Sequence, residues 1–168
     1  SSMHESDPLG LVVFGARADG VGGVLTSVLA GGGVWNSEAT LGSRTTLFAA
    51  MGVLWLVALA ALGWQRWWRD NPPEAVVLGA LAVLGVLWAW ISGTLGDQVW
   101  AQQIVSAVPG GGLLRDGQKW TVWWVLLLAV CAPWGLQRLL TRADETLRLF
   151  LAGALTVLPI AVLPDLAA

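Results

Sequence analysis

A chain of 168 residues in which 56% are hydrophobic and only 12% are charged has too few charges to cover a water-facing surface, for which soluble domains use about 25%. Its mean hydropathy of +0.68 makes the lipid bilayer its solvent, and its net charge of −2, with 12 Trp and no Tyr in the absence of a basic patch, excludes a nucleic-acid partner. One cysteine, Cys131, inside an apolar run and one histidine, His4, near a polar end leave no intramolecular disulfide, no His/Cys metal cluster and no Ser/His/Asp triad.

Taken in chain order, the first segment, 1–45, lacks the basic and apolar regions of a secretory signal. Within it Val21 to Val34 is apolar but rich in glycine and interrupted by Thr26 and Ser27. It is shorter than the roughly 20 residues needed to cross the roughly 30 Å hydrocarbon core, so the segment predicts an outer-face loop with an interfacial or re-entrant element. Residues 46–168 predict an all-α, polytopic membrane helix bundle of about four transmembrane helices. A first span over 46–64 meets the interface at Gln65-Arg66-Trp67-Trp68-Arg69-Asp70, where Trp stays at headgroup depth and Arg reaches water. Asn71-Pro72-Pro73 predicts a helix break and a tight hairpin, and Glu74 suits the first turn of the next helix.

The second span, 74–95, is closed by Gly96-Asp97, and a loop over 96–119 follows. A third span over 120–140 opens on Trp120, Trp123 and Trp124 and carries Pro133, which predicts a kink or an early end. In the connector 137–145, Thr141 or Asp144 can cap the fourth span, 146–163, in which Pro159 predicts a second kink. The two ends read as internal, so the chain is expected to be a segment of a longer multispanning protein. The short basic loops, 65–73 with Arg66 and Arg69 and 137–148 with Arg138, Arg142 and Arg148, predict the cytoplasmic side. Both ends and the 96–119 loop then share the outer face of the plasma membrane.

No charged residue lies in the middle of a span, which argues against a coupling site of a transporter within these helices. Chemistry is expected instead where two polar outer loops meet. Arg115, Gln118 and Lys119 put two cations and an amide just before a span, a set able to hold a phosphate or pyrophosphate, since arginine offers a fork and lysine a point charge. Asp19, Glu38 or Asp116 can act as a base or hold a divalent cation. The competing expectation is that these are interfacial charges that fix the depth of a helix and cap its start. The Gly triplets match neither the P-loop nor the dinucleotide fingerprint. Gly79, Gly85 and Gly153 are expected to let helices approach closely.

The stretch Val108-Pro109-Gly110-Gly111-Gly112-Leu113-Leu114-Arg115-Asp116-Gly117-Gln118-Lys119-Trp120 resembles a loop of large multispanning proteins from high-GC Gram-positive bacteria (actinobacteria). In those a Gly-rich, Trp-Asn-containing loop similar to Gly31–Asn36 lies upstream, so the resemblance covers residues 31–120. Some of these proteins resemble the GT-C class of membrane glycosyltransferases. That resemblance implies a polyprenyl-phosphate sugar as donor and catalytic acids in outer loops; it leaves the cofactor open, a divalent cation on the loop carboxylates being the one candidate. The class places an acidic residue or pair in an early outer loop. Here Asp19 is isolated and no Asp-Asp or Asp-Glu pair occurs on the outer side, so the carry-over stops at Asp19 and Asp116 as candidate catalytic residues. The partners expected are the bilayer, a polyprenyl-phosphate lipid, and further chain or other membrane subunits. The alternative is a non-catalytic assembly or scaffold subunit, or part of a transporter.

Overall fold

The computed structural model describes residues 10–19, 22–32, 46–108 and 111–162. Every regular element among them is helical: α1 (Gly10–Phe14), α2 (Gly23–Leu29), α3 (Leu47–Asp70), α4 (Pro72–Leu95), α5 (Val99–Ala107), α6 (Gly112–Arg115), a 3₁₀ turn (Gly117–Thr121), α7 (Val122–Leu140) and α8 (Glu145–Val162). Three stretches are long and apolar enough to cross a membrane, Ala49–Asp70, Pro72–Leu95 and Gly117–Leu140. The chain is therefore an all-α, multi-pass membrane helix protein. α8 occupies the place of the fourth expected span; Leu163, Glu38 and the Trp35-Asn36 pair lie outside the described residues. Of the Gly-rich stretch 21–34, the described part forms α2, whose 7 residues are far too few to cross a bilayer.

The helix boundaries follow from local chemistry. Thr46 caps α3, its Oγ1 accepting the Ala49 N–H at 3.3 Å. α3 does not stop at Trp64 but runs on to Asp70, because a helix ends where its hydrogen bonds end and not where the solvent changes. Asn71 closes it, its N–H reaching the Trp67 carbonyl at 2.9 Å. α4 then begins on Pro72 itself, since the first helical position needs no N–H donor, and Glu74 sits in its first turn. α7 continues through Pro133 and forgoes one intrahelical bond there. For α8 the cap is Asp144, whose Oδ1 accepts the Leu147 N–H at 2.8 Å, while Thr141 turns its hydroxyl back to the Arg138 carbonyl.

The chain divides into two compact units, Ser1–Thr40 with Leu81–Trp124, and Leu41–Ala80 with Val125–Ala168. In the first, the segment expected as a loop over 96–119 is mostly helical. Ala101 and Val105, one turn apart on α5, bury their side chains against Leu11, with Trp88 and Leu114 packed beside them. A second cluster joins Ala16 and Val28 to Ala89 of α4, flanked by Val24 and Val86. These two clusters hold α1, α2, α5 and α6 to the carboxyl half of α4.

In the second unit α3 meets α7 at unusually short range. A Cβ at Gly63 would overlap the Cys131 carbonyl oxygen, and one at Gly135 would overlap that of Leu59. Glycine in a helix interior costs about 1 kcal/mol relative to alanine; here it permits backbone-to-backbone packing, which in lipid replaces the missing hydrophobic drive between helices. The large side chain of Leu54, 69% exposed, stays out of these contacts, as a lipid-facing position should.

Candidate functional site

The polar group that carries the candidate chemistry is built on α6 and the 3₁₀ turn, just before α7. A four-residue helix cannot sustain itself, and its last carbonyls have no intrahelical partner. Two indoles supply donors: Trp88 Nε1 of α4 donates to the Leu114 carbonyl at 2.8 Å and Trp120 Nε1 to that of Leu113 at 3.2 Å. The chain then turns through Asp116 into the 3₁₀ turn, where the Lys119 N–H reaches the Asp116 carbonyl at 3.2 Å and Thr121 Oγ1 the Gln118 carbonyl at 2.7 Å. Gly117 lies against Ser92 and Ala89 of α4, which fixes the segment's distance from that helix.

This scaffold brings Arg115, Asp116 and Lys119 together. The Lys119 ammonium pairs with Asp116 Oδ2 at 2.9 Å; the lysine side chain is 78% exposed and the aspartate only 18%. The other carboxylate oxygen, Asp116 Oδ1, is buried and accepts no hydrogen bond among the described residues. Arg115 lays its guanidinium over the Phe14 ring, 4.6 Å from the centroid, so the end of α1 and the end of α6 meet. Gln118 sits on the same turn, half-buried. Trp124 Nε1 donates to the Leu29 carbonyl at 2.8 Å and ties the end of α2 to the same region.

Asp19 belongs to a different local motif of this unit. It is 7% exposed and lies ahead of α2, where its N–H donates to Ser27 Oγ at 3.0 Å and that hydroxyl donates to the Gly23 carbonyl at 2.9 Å. Among the described residues no three His, Cys, Asp or Glu side chains converge. The described residues therefore do not furnish a cage for a divalent cation, which needs several oxygen ligands.

What the sequence left unseen at this site is its support. Phe14 beneath Arg115 and Trp88 against Leu114 are far from the segment in the chain. The one available signal was the need of a Gly-flanked turn for donors, which the tryptophans of the adjoining spans can meet. The chemistry available is that of an exposed ammonium, a stacked guanidinium and a half-buried carboxylate at the head of a membrane span. These features define a multi-pass, membrane-embedded helical protein with a charged, solvent-reaching turn at the start of α7. Compared with known protein families, curated proteins and solved structures, the chain finds no match.

Proposed function

We propose that the protein is an integral plasma-membrane protein of the GT-C-like kind that transfers a sugar from a polyprenyl-phosphate donor to a cell-envelope acceptor. The observation that supports this reading is the display of Arg115 and Lys119 on one indole-braced turn at the head of a span, with Asp116 between them. The Arg115 fork and the Lys119 charge would hold the donor phosphate at headgroup depth. Asp116, released from Lys119 as the phosphate takes its place, would accept the proton of the acceptor hydroxyl. The acceptor oxygen then bonds to the anomeric carbon, and the bond to phosphate oxygen breaks with its electron pair, leaving polyprenyl phosphate. Asp19 is the second candidate for the base. In this reading both ends and the 96–119 segment face outward, and 65–73 and 137–145 face the cytoplasm, following the basic short loops.

A second reading is favoured by a specific observation: Arg115 is already stacked on Phe14 and Lys119 already paired with Asp116. Charges met within the unit suit a non-catalytic assembly subunit or a transporter part, in which the turn sets helix depth. One experiment separates the two. The protein is reconstituted in vesicles containing a polyprenyl monophosphate, and binding is measured for the parent, Arg115→Ala, Lys119→Ala and Asp116→Asn. The transfer reading expects each alanine variant to bind about tenfold or more weakly, the loss of one charge-assisted contact, and Asp116→Asn to bind as well as the parent. Parent-like binding in both alanine variants sinks it in favour of the structural role.

A further inference from the structure

We infer that the end of the second unit where α3 and α7 finish and α8 begins is a binding site for the phosphate of anionic phospholipids. This rests on the membrane spans alone and not on the transfer reading. Five arginines gather there: Arg66 and Arg69 in the last turns of α3, Arg138 in the last turn of α7, Arg142 in the connecting turn and Arg148 in the first turns of α8. The ends of α3 and α7 are joined side by side. Arg138 Nη1 donates to Gln65 Oε1 at 3.3 Å and to the Leu62 carbonyl at 3.4 Å, and Arg66 lies over the Trp134 ring, 4.8 Å from its centroid.

Among the described residues, one carboxylate at this end pairs with an arginine of the group. Asp144 caps α8, Glu145 and Glu74 occupy first turns of α8 and α4, where a negative charge complements the helix dipole, and Asp70 makes a long, half-exposed pair with Arg66 at 3.8 Å. Arg148 Nη2 donates to the Ala143 carbonyl at 3.3 Å. Arg69 and Arg142 are exposed, and among the described residues their guanidiniums have no hydrogen bond or ion pair.

The ordinary account of cations at helix ends covers only part of this group. Arg69 and Arg138 sit at helix C-termini, where a positive charge is favoured. Arg142 follows directly on the C-terminus of α7, while Arg148 lies in the first turn of α8, where the dipole opposes it, so the helix dipoles leave Arg148 unexplained. A fixed anion above the turn would account for it. The depth is set by Trp64, which packs with Trp67 and Trp68 at centroid distances of 5.8 and 5.4 Å, and by Trp134; such an aromatic girdle lies at the headgroup level. At that depth the available anion is a lipid phosphodiester, which suits the arginine fork, and basic groups beside spans draw anionic lipid.

The test uses the full chain in nanodiscs of phosphatidylcholine with phosphatidylglycerol, with the lipids retained after release counted by native mass spectrometry. The parent should retain phosphatidylglycerol in preference to phosphatidylcholine. Arg69→Gln/Arg142→Gln should cut that retention roughly tenfold, two exposed contacts of about threefold each, while Arg17→Gln, in the other unit, leaves it unchanged. Arg142→Gln alone, in a turn outside the spans, should give a smaller loss with helix content intact, and it decides the matter if the double variant fails to insert. Equal retention of the two lipids, parent-like retention in the variants or an equal loss in Arg17→Gln overturns the assignment. Displacement of the lipid by soluble glycerol phosphate would assign the arginines to a free phosphate instead, and so would overturn it too.

Discussion

Replacing Gly63 or Gly135 with leucine should separate α3 from α7 and cost about 3 kcal/mol or more of stability in the membrane, at the upper end of overpacking penalties. The magnitude follows from what the new atoms would meet. At both positions the obstacle is a backbone carbonyl oxygen of the facing helix, Cys131 for Gly63 and Leu59 for Gly135, and a backbone cannot step aside as the tip of a flexible side chain can. Even alanine at Gly63 forces the crossing open, with an expected loss of about 1–3 kcal/mol, although alanine is the better helix former by about 1 kcal/mol. Opening the crossing also weakens the Arg138 contacts to Leu62 and Gln65, which depend on the same approach. Gly153 supplies the contrast: it is exposed with nothing within 4 Å of a new Cβ, so Gly153→Leu should fall within about 0.5 kcal/mol of the parent. Unfolding in mixed micelles with increasing denaturing detergent reads both effects. Parent-like stability of Gly135→Leu would mean that α3 and α7 do not pack at these glycines.

The apolar stretches of α3, α4 and α7 were legible because a bilayer demands a long uninterrupted run, a signal that survives without any knowledge of packing. Their limits were less so. The change from apolar to polar residues at Gln65 marks a change of solvent, while the hydrogen-bonded helix runs on to Asp70, and the Pro72-Pro73 break is also the first turn of α4. α5 escaped notice because its buried face rests on only Ala101 and Val105, too little for a helical period to stand out. At the candidate site, Arg115, Asp116, Gln118 and Lys119 could be grouped because they are neighbours in sequence. The Phe14 ring under Arg115 and the Trp88 indole on Leu114 could not, since pairing residues so far apart requires the fold itself. Glycine spacing was only partly informative. Of the positions named from sequence, Gly85 meets a backbone, the Trp120 carbonyl, Gly79 lies under the Trp64 ring and Gly153 meets nothing, while Gly63 and Gly135, which bring α3 and α7 together, have no local signature.

The indoles that brace α6 lead to the second large effect. Trp88→Phe keeps one aromatic ring beside Leu11 and Val105 but removes the pyrrole part of the indole and with it the N–H that the Leu114 carbonyl accepts. That bond is partly buried, so the carbonyl loses its partner with little water to replace it, and the expected cost is about 1–2 kcal/mol. Trp120→Phe removes a bond of 3.2 Å that is exposed, where water can substitute, and should cost less than about 1 kcal/mol. Together they amount to about 2 kcal/mol, which corresponds to a roughly thirtyfold rise in the population of the opened turn. Because α6 is too short to hold itself, the opening should be local. Amide exchange over 112–121 should accelerate by that factor in the double variant, while protection in α3 and the body of α7 stays as in the parent. The same variant leaves Arg115 and Lys119 in place, so it separates position from charge. If the turn binds a lipid phosphate as proposed, the double variant should still bind nearly as the parent does while the closed turn remains the major form, since affinity falls only with the closed fraction. Unchanged exchange over 112–121 would show that contacts other than the two indoles, such as Gly117 on Ser92, hold the turn to α4.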